Sequence, residues 1–217
     1  PYRIDLEETA RLLERVEPEI ILFGKSMVLH PEPVALIRDM VRHRKSLPIL
    51  MYDMAHVLGL VGRHFQEPFK EGAQIVTGST HKTFFGTQRG IVAAQLEEKR
   101  PEFELWKAIR RRTFPGGVSN HHLGTLLGLL LAAMEMNAFK DAYQPQVIAN
   151  AKAFARALKR EGMDVEGDPA VDFTETHQVI VNVGYARGIE VARNLENNNI
   201  IVNYQALPWD ESFTASS

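Results

Sequence analysis

Two short apolar segments constrain this chain most, because each runs straight into side chains that carry chemistry. Pro48-Ile-Leu-Met-Tyr52 reads as a buried strand that delivers Asp53 where it ends, with His56 three residues later. Ala73-Gln-Ile-Val76 reads as a second strand and delivers Ser79, Thr80, His81 and Lys82. Open α/β sheets place their binding chemistry at the carboxyl ends of strands. Two such strands side by side bring an acid, an imidazole and an amine to one edge.

The surrounding pattern predicts the rest of that layer. A helical stripe over 5–17, with Asp5 as N-cap, is stopped by Pro18 and leads to a strand over 19–23. A helix over 32–43 precedes the first central strand, and a short connection over 59–72 separates the two. A turn at Gly86, Arg89 and Gly90 leads to a strand over 91–94, tight enough to predict one antiparallel member in an otherwise parallel sheet. Beyond it the pattern predicts a charged helix over 97–112 and a loop at Phe114-Pro-Gly-Gly117. A uniformly apolar, buried helix over 123–136 and an amphipathic helix over 142–161 follow, the latter closed by Gly162. From 163 onward a loop at 164–169, a strand over 177–183, a helix over 189–197 and a strand over 200–204 predict a small separate α/β unit. The expected division is 1–140, a connecting helix at 141–162, and 163–217.

Composition narrows the function classes. The 217 residues carry a formal charge of −2, so no strong positive field argues for nucleic acid or an anionic membrane. There is no cysteine, which excludes disulfides and thiolate metal sites and fits a reducing, cytoplasmic setting. The first residues, mixed and charged, are unlike a signal peptide. The longest apolar run, 123–134, is shorter than the roughly 20 residues that span a bilayer. His121 and His122 point different ways on a helix, so no metal site is expected there. A soluble cytoplasmic protein is the expectation.

An acid and a lysine on adjacent strand ends are what pyridoxal phosphate requires: an amine for a Schiff base and a carboxylate to keep the pyridine nitrogen protonated. The same residues resemble a known family. Asp53-Met-Ala-His56-Val-Leu-Gly59-Leu, Thr80-His81-Lys82-Thr83, Gly86-Thr-Gln-Arg89-Gly90 and Phe114-Pro-Gly-Gly117 look, in order and separation, like serine hydroxymethyltransferase. The resemblance implies a large domain like that of aspartate aminotransferase, a mostly parallel sheet flanked by helices, plus part of a small C-terminal α/β domain. It implies that Lys82 is the Schiff-base lysine, Asp53 the pyridinium partner and His56 a ligand of the cofactor's phenolic oxygen. Ser26, Ser79 and His81 would border the same pocket.

By the same resemblance, the reaction is retro-aldol cleavage of serine to glycine with tetrahydrofolate as one-carbon acceptor. Gln205 stands where the family has an asparagine against the pteridine, and Val118-Ser119-Asn120 stand where it has a glycine pair. Such departures also fit a 2-methylserine hydroxymethyltransferase or a threonine-type aldolase or transaldolase on the same scaffold. The 114–117 loop implies a homodimer or larger assembly with shared sites. The family's N-terminal phosphate cup and its C-terminal carboxylate-binding arginine are not in this sequence, so the chain resembles the middle of a longer protein and is expected not to turn over substrate alone. The competing class is an interaction module, against which a lysine at a buried strand end argues.

Overall fold

Four apolar runs bounded by turn residues pair into one sheet, in the order β1 (Ile20–Phe23), β2 (Ile49–Asp53), β3 (Ile75–Ser79) and β4 (Gly90–Ala94). The computed structural model describes residues 2–96, 98, 103–211 and 214–217. β1, β2 and β3 are parallel, with Phe23 beside Tyr52 and Asp53 beside Thr77. β4 returns antiparallel, Ser79 opposite Gly90. The link at 80–89 has no room for the helical crossover a parallel return needs, which fixes that direction. The expected layer with one antiparallel member is therefore present.

Side chains alternate across the strands, so one face of the sheet takes the core. Phe23, Leu50, Tyr52 and Val76 pack with Val34 and Ile37 of α2 (Val34–Val41), and Leu6 of α1 (Leu6–Arg15) and Phe69 of α3 (Pro68–Glu71) join them. Each fully buried apolar side chain contributes about 1.5–3 kcal/mol. Ile20 and Leu22, on the other side of β1, are more than half exposed. Asp5 caps α1 as expected, its carboxylate accepting the Glu8 N–H at 2.9 Å.

After β4 come α4 (Phe103–Arg111) and one wide helical turn, Arg112–Gly117. Of the helix expected over 97–112, residues 97 and 99–102 lie outside the described residues. The turn replaces the loop expected at 114–117. Phe114 stays extended within it (φ −134°, ψ 125°), because the following proline disfavours a helical conformation there. The two helices expected over 123–136 and 142–161 are one, α5 (Leu123–Arg160). Nothing between Met136 and Ala142 breaks a helix, and Pro145 removes only its own hydrogen bond. Gly162 (φ +84°) closes α5, its N–H donating to the Lys159 carbonyl while the Met163 N–H reaches Leu158.

The burial expected for 123–136 is not found. Leu123, Leu126, Leu127, Leu130, Leu131 and Met134 are 47–66 % exposed. Uniform apolarity marks a surface that water disfavours; it does not say what covers it. As one continuous helix, α5 is also long and apolar enough to cross a membrane by length and composition alone, unlike the shorter run read from the sequence. Its middle, however, is tied to the sheet. The buried Gln144 amide donates to the Gly59 and Val61 carbonyls at 3.0 and 2.9 Å, and the Tyr143 hydroxyl donates to the Thr83 carbonyl at 2.8 Å.

Past α5 a two-stranded antiparallel sheet, β5 (Asp164–Val165) and β6 (Val181–Asn182), packs Val165 and Phe173 against Ala155, and α6 (Gly188–Glu196) follows. The expected 164–169 loop thus begins as a strand. The expected strand over 177–183 shrinks to two residues, the length of its partner β5, while the Thr176 and Gln178 side chains bond to the backbone at 26–28. No strand forms at 200–204, where Ile201 is 87 % exposed and no neighbouring strand among the described residues supplies a ladder. Tyr2, Leu29, Ile180 and Leu207 form a cluster that joins this region to the N-terminal segment and the 26–30 loop.

Gly59 lies in the short 3-10 turn Leu58–Leu60, where an added Cβ would sit 2.1 Å from the Thr83 carbonyl oxygen. Gly59→Ala is expected to destabilise the protein by about 3 kcal/mol, the upper end for overpacking. Urea denaturation measures it, and an unchanged midpoint would show that the two turns do not press together.

Candidate functional site

Because β1, β2 and β3 are parallel, their carboxyl ends share one edge. Gly24 leaves β1 there with φ +117°, and a Cβ on it would meet the Asp53 carbonyl oxygen at 2.3 Å, so the chain passes directly over the end of β2. Asp53 accepts the Ala55 N–H at 3.1 Å, and the Met54 N–H donates to the Thr77 carbonyl of β3 at 2.8 Å. The turn that follows carries His56. Beyond β3, the buried Thr80 hydroxyl donates to the Thr87 and Arg89 carbonyls, at 2.7 and 2.9 Å, and shapes the turn that carries Lys82.

Thr83 ties the two turns together. Its hydroxyl donates to the His56 carbonyl at 2.8 Å and accepts the Gly59 N–H at 3.1 Å. As a result Lys82 Nζ stands 3.2 Å from His56 Nε2. Both line a cavity of about 630 Å³, together with Ser26, His177, Gln178 and Gln205.

Of the residues singled out in the sequence, Ser26, His56 and Lys82 line this cavity, and Asp53, Ser79 and His81 do not. Asp53 is exposed at the end of β2 beside it, Ser79 ends β3 opposite Gly90, and His81 is exposed on the turn. Lys82 is exposed as well, where the sequence predicted a buried amine. Its turn opens to the cavity and not into the core. Arg89 instead anchors the start of α5, its guanidinium donating to the His122 carbonyl at 2.6 Å and to the Thr125 hydroxyl. Thr83, Tyr143, His177 and Gln178 were not singled out. His177 and Gln178 open the run 177–183, which also carries Asn182, and nothing local marks their role.

Burial, then the Lys82 ammonium, lower the His56 pKa, and the Asp53 carboxylate pulls the other way. Burial, then His56 and Lys82, push His177 down to about 4. Both imidazoles are therefore neutral at pH 7. In the unfolded chain His177 titrates near 6.5. Above that pH it is neutral in both states and adds no pH dependence. As pH falls from 6.5 to about 4 the unfolded chain binds the proton first, so stability is lost, on the order of 3 kcal/mol below both values. His177→Asn is expected to flatten that part of the stability-pH curve, measured by urea denaturation at pH 7 and at pH values approaching 4.

The serine hydroxymethyltransferase family profile matches residues 2–217. A serine hydroxymethyltransferase of Archaeoglobus fulgidus is 47 % identical over 209 residues, covering 95 % of this chain and 45 % of that protein. One of Korarchaeum cryptofilum is 42 % identical, covering 95 % of this chain and 46 % of the relative. The crystal structure of an L-threonine transaldolase from Pseudomonas fluorescens, in its internal aldimine state, superposes with a TM-score of 0.83 at 32 % identity, covering 94 % of this chain and 46 % of that one. The chain spans about half the length of the relatives it matches. With strand ends, turns and cavity arranged as described, and with the family profile running from Tyr2 to Ser217, the chain belongs to the serine hydroxymethyltransferase family.

Proposed function

We propose that this chain forms the lysine-bearing part of a pyridoxal-phosphate enzyme that interconverts serine and glycine by hydroxymethyl transfer to tetrahydrofolate. One observation carries the reading. An amine and an imidazole meet at 3.2 Å in a cavity on the sheet edge where the neighbouring strand delivers a carboxylate. The residues fit the cofactor. The cavity offers an amine for covalent attachment, Asp53 stands beside it, and buried His177 Nδ1 has no hydrogen-bond partner among the described residues.

In this reading Lys82, His56 and Ser26 hold the cofactor from within the cavity, and Asp53, Ser79 and His81 approach it from the strand ends and the turn beside it. When bound, pyridoxal phosphate supplies an electron sink for the charge left on an amino acid's α-carbon as its Cα–Cβ bond breaks. Lys82 would provide the covalent anchor. Asp53 would hold a proton at the ring nitrogen, and His56 would serve the phenolic oxygen. Gln205, which also lines the cavity, is the candidate contact for the one-carbon acceptor. A threonine transaldolase activity is the second reading, favoured by the 0.83 superposition on that enzyme.

The exposed leucine face of α5 supports a homodimer or larger assembly in which the 114–117 segment serves a neighbouring subunit's site. A face of this apolarity stays in water only at high cost, and subunit contact removes it. The absence of cysteine fits the cytoplasm.

Lys82→Ala is expected to abolish the visible absorbance of covalently bound cofactor in the purified protein, and retention of the band excludes Lys82 as anchor. Asp53→Ala is expected to keep the cofactor bound and reduce turnover to background. Folate-dependent exchange of the glycine α-proton, assayed beside folate-free aldol cleavage of threonine, separates the two reactions. Leu127→Glu combined with Leu130→Glu is expected to shift the particle mass to that of a monomer in analytical ultracentrifugation; an unchanged mass places the subunit contact elsewhere.

A further inference from the structure

We propose that Gln178 is a positioning residue that holds His56 in the tautomer with its proton on Nε2, so that His56 presents an N–H donor to the cavity. The orientation of the Gln178 amide follows from backbone groups that have no choice of role. Oε1 accepts the Val28 N–H at 2.6 Å, and Nε2 donates to the Ser26 carbonyl at 2.8 Å. Inverting the amide would set N–H against N–H and carbonyl against carbonyl, leaving both backbone groups without their partner. The side chain is itself braced. Its backbone N–H donates to the Thr176 hydroxyl at 3.2 Å, and that buried hydroxyl donates to the Val28 carbonyl at 2.6 Å.

With one Nε2 hydrogen on Ser26, the nitrogen's second hydrogen serves His56 Nδ1, a long contact of 3.5 Å. A neutral imidazole has one donor and one acceptor nitrogen. Nδ1 facing a donor is the acceptor, and the proton lies on Nε2, the nitrogen 3.2 Å from Lys82 Nζ. A Lys82 ammonium pointing at Nε2 favours the opposite tautomer. Lys82 is exposed and can turn to water, however, whereas Gln178 is fixed by two backbone hydrogen bonds. The constraint therefore comes from the glutamine side. An N–H at Nε2 attracts an anionic oxygen in the cavity; a lone pair there would repel it.

The catalytic meaning of this arrangement rests on the proposed cofactor site, but the tautomer does not. The test is 15N NMR of the full chain labelled at histidine, without cofactor at neutral pH, with the His56 signals assigned through His56→Gln. The expected spectrum shows a pyridine-like Nδ1 and a pyrrole-like Nε2. In Gln178→Glu the amide donor becomes an acceptor, and Nδ1 gains the proton; in Gln178→Met the donor is lost, and the two tautomers mix. A pyrrole-like Nδ1 in the unsubstituted protein overturns the proposal without recourse to any variant. So does an unchanged His56 spectrum in variants whose circular dichroism shows the native fold. Should the purified protein lack the visible cofactor band, the proposed function fails while these shifts still decide the role of Gln178.

Discussion

The Thr83 hydroxyl is the hinge on which the site depends. It accepts from Gly59 and donates to the carbonyl of His56, so the turn after β2 and the turn after β3 are one hydrogen-bonded unit. The Thr83 carbonyl in turn accepts from Tyr143 of α5, and Gln144 fixes the Gly59 and Val61 carbonyls. Only a glycine lets the turns approach this closely, since any side chain at 59 would enter the Thr83 backbone. Neighbouring backbone thus brings the turns that carry Lys82 and His56 together, and the two side chains need not hold each other.

What the sequence reveals and hides follows from how local each interaction is. β2 and β3 are legible because a buried parallel strand reads as a continuous apolar run that ends where its chemistry begins. The antiparallel β4 is legible from the shortness of its link. The supposed strand at 200–204 has the right side chains, but a ladder needs a neighbour, and the described residues offer none. Gln178 and His177 were invisible for a related reason. The groups that give them meaning, Ser26, Val28, His56 and Lys82, lie about a hundred residues or more away in sequence. No local spacing reports such a pairing.

The apolar faces follow the same logic. Periodicity marks 123–136 as a segment that must be covered, and burial within the chain was the simplest expectation. The fold instead uses the middle of α5 to brace the Lys82 turn and leaves the leucines before it on the surface. Ile20 and Leu22 on β1 show the same exposure on the sheet. Hydrophobic pattern fixes which side chains leave water, and it is silent on whether the cover comes from the same chain.

The charges in the site divide along a physical line. The amine and the carboxyl, Lys82 and Asp53, are exposed, and the groups that are partly buried, His56 and His177, are imidazoles whose pKa burial lowers. Burying an unpaired ammonium or carboxylate costs several kcal/mol, whereas a neutral imidazole needs only one donor and one acceptor met. An edge built this way keeps its ions hydrated until something enters that offers each an opposite partner. A ligand with one group for an amine and another for a carboxylate displaces that water at least cost. A ligand lacking either leaves a desolvated charge behind, and for that reason it is disfavoured before any shape is compared.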